Sequence, residues 1–367
     1  MIITLFSNTS WSLYNFRKDF ISELISMGNE VLVLSNKDYT SKKLIKMGCK
    51  FIPIKFDTLS KNPFKELLYF TKIIFFLYKS KSDIYINFTI KPCIYFGLAN
   101  LFYNRKSITL LDGMGRAFVN KGIFYNLMLI ILKISQKLTK KIILVNKDDK
   151  KFFLKHKITQ NNRISLLKAP GLNVENFKFK KRKIKNNKKM IFSFISRIME
   201  EKGITYFLES AERIKKKFKS IFIVVGKIEN DKIHKLIKKY SKKKVIKYFP
   251  NQKNVKQMII GSDCIVLPSY YREGIPRILQ EANYYGRICI TTNNYGCRDV
   301  IVNGYNGFIC KKKSVNDLMK KIENVILMDK QKLSAMEKKA HYYIKKNYNK
   351  NDINNKLIKM IYETIKV

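Results

Sequence analysis

The chain has 367 residues, about two domains at roughly 150 residues each, and its 74 Lys+Arg against 27 Asp+Glu give a net charge of +47. Hydrophobic residues at 46% and aromatics at 13% supply material for two cores and exclude wholesale disorder. The charge fits a nucleic acid, an anionic membrane or a phosphorylated substrate as partner, and equally a compositional drift toward Lys, Asn, Ile, Tyr and Phe, so only placed charges carry an argument.

The opening MIITLFSNTS reads as a first β-strand, because it lacks the basic start, long apolar stretch and cleavage site of a signal peptide. Arg17 to Met27 suits a helix closed by Gly28, Glu30 to Ser35 a second strand, and Phe51 to Ile54 a third. Asn62-Pro63 is a helix-start signal that opens Phe64 to Tyr78, and Asp83 to Phe88 is the next strand. The rhythm restarts after residue 170, beyond the charged stretch Lys178 to Lys189. Met190 onward is a strand, Gly203 to Lys217 a helix, and Ser220 to Gly226, Asp263 to Pro268 and Arg287 to Thr292 are strands. From Asn316 the tail is helical, with a break near Asn347 to Asn355. Strands alternating with helices predict α/β architecture: two doubly wound parallel sheets, with a cleft between two domains.

Ile123 to Leu132 is interrupted by Asn126 and ended by Lys133, short of the roughly 20 residues of a crossing helix. Phe64 to Tyr78 is apolar almost all round, which suits either a helix wedged deep in a core or a monotopic contact with lipid, ringed by lysines. Six scattered cysteines (Cys49, Cys93, Cys264, Cys289, Cys297, Cys310), several in apolar runs, argue against a disulfide framework and for a reducing cytoplasm. His156, His234 and His341 stand far apart in Lys-rich surroundings and read as surface residues, so no zinc site is expected.

Two constellations carry chemistry. Arg197 ends the first strand of the second half, and Lys202-Gly203 opens the following helix. Two cations and a helix N-terminus converge where a parallel strand ends, a place where α/β sheets bind anions, although RxxxxKG by itself also suits solvated charges. Further on, Leu267 to Pro276 (LPSYYREGIP) ends a strand and opens a helix. Gly274 allows close backbone approach and Pro276 suits the first helical turn, where free amides can meet an anion or sugar hydroxyls. Glu273 in the loop and Glu281 in the helix can line one pocket as acceptors for hydroxyls.

E-G-x-P-x-x-x-x-E preceded by R-x-x-x-x-K-G resembles the retaining glycosyltransferases of family 4, which have the two-Rossmann GT-B fold, over essentially the whole chain. LPSYYREGIPRILQEA, NNYGCRDVIVNGYNGFI, FTIKPCIYFGLAN and LLDGMGRAF are similar to a bacterial branch that builds polyprenyl-diphosphate-linked glycans, its α-1,3-N-acetylgalactosaminyltransferases included. The resemblance implies an acceptor-binding, membrane-facing domain over 1–170, rejoined by the helix 350–367, and a nucleotide-sugar domain over 171–349. It implies that Arg197 and Lys202 grip the donor diphosphate and that Glu273 holds sugar hydroxyls, with the amides of Gly274, Ile275 and Pro276's turn nearby. Glu281 would hold the ribose, and the loop around Tyr248, Phe249 and Asn251 would meet the base. Gly171 to Asn173 would form the interdomain crossing.

Two features depart from the family pattern. Ser7 to Ser12 contains no glycine, and Asp112-Gly113-Met114-Gly115 has no His, so a sugar contact there falls to Asp112, Gly113 or main chain. The expected reaction moves a sugar, N-acetylgalactosamine or a related hexose or N-acetylhexosamine, from a UDP-sugar to a polyprenyl-diphosphate-linked saccharide with retention. UDP-sugar is a co-substrate, no cofactor or metal is expected because Asp148-Asp149 is not a strand-end Asp-x-Asp, and nucleic acid is not an expected partner. The expected location is cytoplasmic, peripheral on the anionic inner face of the plasma membrane. A nucleic-acid binder would instead need a concentrated basic face, and a GT-B UDP-sugar epimerase other acids and a catalytic His.

Overall fold

A computed structural model describes residues 1–55, 62–115, 118, 122–175, 177, 179, 189–250, 252 and 254–366. Asn251, most of the stretch Lys178 to Lys189, and Arg116-Ala117 of LLDGMGRAF lie outside the described residues. The chain forms two compact units, Met1–Pro170 with Asn351–Val367, and Gly171–Lys350.

The first unit runs β1 (Ile2–Thr9), α1 (Ser10–Ser26), β2 (Glu30–Asn36), α2 (Ser41–Lys46), β3 (Lys50–Pro53), α3 (Pro63–Lys79), β4 (Ile84–Phe88), α4 (Ile90–Ala99), β5 (Ser107–Leu111), α5 (Ile123–Ser135), β6 (Lys141–Leu144), α6 (Lys147–Lys155) and β7 (Ile164–Leu166). Its seven strands are ordered β3-β2-β1-β4-β5-β6-β7, and every adjacent pair is parallel. The order reverses between β1 and β4. Strands β4 and β5 are buried along their whole length because helices cover both faces, which is why they read as unbroken apolar runs.

The second unit runs β8 (Met190–Ile195), α7 (Ile204–Lys217), β9 (Ser220–Val225), α8 (Asp231–Lys242), β10 (Lys247–Phe249), α9 (Val255–Gly261), β11 (Cys264–Leu267), α10 (Arg277–Tyr284), β12 (Ile288–Thr292), α11 (Cys297–Val300), β13 (Gly307–Cys310), α12 (Val315–Ile326) and α13 (Lys330–Asn347). Its order is β10-β9-β8-β11-β12-β13, again all parallel, with the reversal between β8 and β11. Helix α7 buries Ile204, Phe207, Leu208, Ala211 and Ile214, one face at helical spacing, and ends on Lys215 to Lys217. Phe207 packs between Phe194 and Phe222, and burying such a ring contributes about 1.5–3 kcal/mol. The last helix, α14 (Lys350–Lys366), joins the first unit, where Tyr362 accepts from Asn29 and the Ile365 carbonyl from Lys106.

The two sheets share one device at their reversal points. Asp83 precedes β4 and accepts from the Ile2 amide at 2.7 Å, and Ser82 bonds the Thr4 hydroxyl. Asp263 precedes β11 and accepts from the Ile191 amide at 2.6 Å, and Ser262 bonds the Ser193 hydroxyl. Each Ser-Asp pair ties the amino ends of the two central strands together.

Several expectations need adjustment. Helix α1 begins at Ser10, seven residues before the expected Arg17, because Thr9 caps it by accepting from the Ser12 amide. Asn62 does cap α3, accepting from the amides of Phe64 and Lys65. The break in the tail is only Tyr348-Asn349, where the buried Tyr348 donates to the Asp299 carbonyl at 2.6 Å. His341 is not a surface residue. It is 2% exposed, stacked on Tyr284 and flanked by Phe177 and Phe179, because α13 packs that face against α10. Its Lys-rich sequence neighbours occupy the opposite, solvated face. All six cysteines are free and buried.

Candidate functional site

Both constellations meet at the carboxyl ends of β8 and β11, where the second sheet reverses direction. The loop after β11 is gripped from both sides. The Glu201 carbonyl accepts from the amides of Tyr270 and Tyr271 at 2.8 and 2.9 Å. Gly203 has φ +83°, and a Cβ there would lie 2.1 Å from the Pro268 carbonyl oxygen. From the β12 side, Thr292 donates to the Ser269 carbonyl and Asn294 to the Tyr271 carbonyl. Gly296, at φ +67°, presses so close that a Cβ would stand 1.7 Å from the Gly274 oxygen. Only glycine fits either place, for conformation and for space.

This grip fixes Glu273. Its side chain is buried, and Oε1 accepts from Lys202 Nζ and from Ser269 Oγ at 2.8 Å. The two partners' side chains are 8% and 11% exposed, and Lys202 Nζ also lies 5.3 Å from the Tyr271 ring centroid. Such a pair brings little stability of its own, since desolvation offsets attraction, yet stranding one member costs about 3–5 kcal/mol. A carboxylate and an ammonium held together at a sheet edge can accept from a hydroxyl and attract an anion.

The other expected residues arrange themselves around this pair. Arg197 is exposed and makes no hydrogen bond or ion pair with a described residue. Pro276 stands at the N-cap of α10, one residue before the expected first turn, and no side chain caps that helix. Gly274 and the buried Ile275 lead into it. Glu281 accepts from Arg277 Nε at 2.6 Å, one turn along the helix. Tyr248 and Phe249 are half-buried on β10; Tyr248 donates to the Gly226 carbonyl at 3.1 Å, and burial raises its pKa. Burial, and then the Glu200 charge, pushes the Tyr270 phenol up to about 12, so it stays a neutral donor at physiological pH. The ring of Tyr295 gathers three cations, with Lys312, Arg272 and Arg298 at 4.9, 5.2 and 5.7 Å from its centroid.

The first unit places Asp112 and Gly113 just past β5. Arg17, buried on α1, donates from Nη2 to Asp112 Oδ1 at 2.7 Å, and its Cζ lies 5.2 Å from the Phe88 ring centroid. The Arg17 Nη1 atom is buried with no hydrogen-bond partner among the described residues. Asn146 caps α6 by accepting from the Asp149 amide at 2.7 Å, and its Nδ2 donates to Asp149 Oδ2 at 2.8 Å, so Asp149 has a structural task. Among the described residues, no three His, Cys, Asp or Glu side chains converge as a metal site would require.

Residue-by-residue reading missed Arg17, Ser269, Asn294 and Gly296. Arg17 had a signal, since it shares the apolar stripe of Leu13, Phe20, Ile21 and Leu24. Ser269 acts through its hydroxyl on Glu273, Asn294 through the Tyr271 carbonyl and Gly296 through its close approach to Gly274, contacts that only the folded loops create.

Compared with known families, residues 175–359 match the family described as Glycosyl transferases group 1, over just over half of the chain. The chain belongs to the group 1 glycosyl transferases. Every second-unit site residue above falls inside the matched region, and Arg17 and Asp112 fall before it. Over the full length of both chains this group 1 glycosyl transferase is 28% identical to the N,N'-diacetylbacillosaminyl-diphospho-undecaprenol alpha-1,3-N-acetylgalactosaminyltransferase of Campylobacter jejuni. It is 25% identical to the UDP-Gal:alpha-D-GlcNAc-diphosphoundecaprenol alpha-1,3-galactosyltransferase of Escherichia coli over 58% of this chain and 57% of that one. A glycosyltransferase crystal structure from Rickettsia africae superposes with TM-score 0.78 at 20% identity, covering 100% of this chain and 98% of that one. The fold class is therefore GT-B, with two parallel-sheet α/β units.

Proposed function

We propose that this glycosyltransferase moves N-acetylgalactosamine, or a related hexose or N-acetylhexosamine, from a UDP-sugar to a polyprenyl-diphosphate-linked saccharide, with retention and without a metal. The observation that carries the reading is the buried Glu273–Lys202 pair beside the uncapped start of α10. Glu273 accepts from hydroxyls of the donor sugar. Lys202, with Arg197 and the first amides of α10, neutralises the diphosphate, each charge-assisted contact contributing about 1.5–3 kcal/mol. Glu281 meets the ribose, Tyr248 and Phe249 border the base, and in the first unit Asp112 is an acceptor suited to sugar hydroxyls.

The bond between the anomeric carbon and the donor phosphate oxygen breaks, and one to the acceptor oxygen forms on the same face. The departing phosphate takes the acceptor proton, so atoms and charge balance without a separate base. The Campylobacter jejuni and Escherichia coli relatives support this reading, because both names specify a diphospho-undecaprenol acceptor and the second a UDP-sugar.

The same reading places the first unit on the anionic inner face of the plasma membrane. Phe64, Leu67, Leu68, Phe75 and Tyr78 on α3 and Ile123, Phe124, Leu127, Ile130 and Ile134 on α5 are 45–91% exposed, far more apolar surface than a helix covering a sheet needs to leave outside. Among the described residues no helix is long and apolar enough to cross a membrane.

The test is to incubate the protein with a panel of UDP-sugars and polyprenyl-diphosphate saccharides, with and without a chelator, and to identify products by mass and anomeric configuration. An α-linked product that forms equally with chelator is expected. No product from any pairing, or an inverted or chelator-sensitive one, overturns the corresponding part of the reading.

A further inference from the structure

The apolar residues exposed on α5 form one stripe, since Ile123, Leu127, Ile130 and Ile134 follow each other at steps of four, three and four. At its carboxyl end the stripe runs into a cavity of about 640 Å³, whose wall includes Ile134 itself and Leu154 of α6. Four cations line the same cavity: Lys133, Lys137, Lys157 and Arg163, and no lining residue is acidic. The Thr159 hydroxyl also lines it and is buried with no hydrogen-bond partner among the described residues.

A structural role for the cations is the competing explanation, because α5 and α6 both end here and Arg163 donates to the Lys137 carbonyl at 2.8 Å. Each helix end presents about half a negative charge, so the two ends account for one cation of the four. The surplus, beside an orphaned hydroxyl, suits an anion. The adjoining stripe suits hydrocarbon. The cavity precedes β6 and β7, whereas Asp112 follows β5, so the two sit at opposite edges of a parallel sheet. Strands of three to five residues at about 3.3 Å each separate those edges. A polyprenyl diphosphate held here would present its sugar at the wrong edge.

We propose that this cavity holds the phosphate headgroup of an anionic glycerophospholipid whose acyl chains lie along the α5 stripe. The proposal rests on the membrane-facing reading of the first unit and names its ligand and subsite. It is tested on the full chain by calorimetric titration with monomeric short-chain phosphatidylglycerol, short-chain phosphatidylcholine and inorganic phosphate, and by flotation with vesicles of phosphatidylcholine with and without phosphatidylglycerol. Saturable binding of the short-chain phosphatidylglycerol is expected, with phosphatidylcholine and inorganic phosphate at least about tenfold weaker. The combined Lys133→Gln, Lys137→Gln, Lys157→Gln variant, whose changes are all exposed, should fold normally and bind the anionic lipid roughly a hundredfold more weakly. Leu127→Ser should weaken lipid binding and leave the phosphate titration unchanged.

Equal binding by the wild type and the triple lysine variant overturns the proposal, as does inorganic phosphate binding as tightly as the lipid. If vesicles capture both proteins equally, the membrane reading stands and the cavity assignment fails. Saturable, lysine-dependent binding of the short-chain lipid without vesicle capture does the reverse.

Discussion

At their amino edges the two sheets are the same; at their carboxyl edges they are not. Ser82-Asp83 and Ser262-Asp263 make matching bonds to the first strand of their own sheet. At the carboxyl edge the second unit stitches three loops around Glu273, and the first holds Asp112 by one arginine on a helix, with the Asp112 side chain 35% exposed. The shared edge serves the parallel reversal in both sheets, since there an aspartate carboxylate accepts from an amide of the first strand. The divergent edge is free to differ because it contributes little to the sheet, and it is the edge at which parallel α/β sheets generally carry their ligand sites.

The sharpest way to break this contrast is Glu273→Gln. It keeps shape and most hydrogen bonding but leaves Lys202 without its counter-charge, and transfer should fall roughly a hundredfold or more, read by product formation. Asp112→Asn in the first unit should cost about tenfold. Equal losses from the two would mean that both edges carry the chemistry alike. Alanine at Lys202 is the poorer probe. It strands a buried carboxylate, so lost activity would come with about 3–5 kcal/mol of lost stability.

Gly296→Ala tests whether the loops themselves hold the site. The methyl collides with the Gly274 carbonyl, so both stability, by about 1–3 kcal/mol in a denaturant titration, and transfer should drop. The amino edges call for a matched pair, Asp83→Ala and Asp263→Ala, each removing one acceptor from a strand amide. Asp263→Ala, at the part-buried Ile191 amide, should lose about 1–3 kcal/mol and Asp83→Ala, at the exposed Ile2 amide, about 0.5–1.5 kcal/mol, and neither should alter the catalytic constants of the folded protein. A large activity loss in either variant would show that the edges are not separable.

The smallest effect expected is chemical. Burial pushes the thiols of Cys49, Cys297 and Cys310 up, to about 11, 12 and 12. Alkylation of the native protein should therefore be far slower than of the unfolded chain. As pH rises past the ordinary thiol value, the unfolded state releases protons that the native state keeps, so stability falls. Fast labelling of any one cysteine at neutral pH would contradict that burial.

Much of this was legible in the sequence because it was local. An apolar run of five residues between polar turns, Asn62 before Pro63, and Gly274 beside Glu273 each carry their meaning within one helical turn or one strand. His341 shows the limit. Its lysine neighbours in sequence suggested solvent, but a helix has two faces, and only the packing of α13 on α10 selects the one His341 occupies. Arg17 shows the same thing from the other side: its place on an apolar stripe signals burial, but its partner, 95 residues away, is known only from the fold.

The sequence by itself determined the alternation of strands and helices, the two units and the acids and cations at the end of two strands, since these follow from hydrophobic period and turn chemistry. Tertiary structure alone decided that Lys202 and Glu273 are partners and not separate tools. Their positions, 71 residues apart, meet only because the strand order reverses between β8 and β11. The same holds for the +47: its meaning lies in which few cations the fold turns inward or gathers at a cavity, and that is set by distances through space, which no spacing along the chain contains.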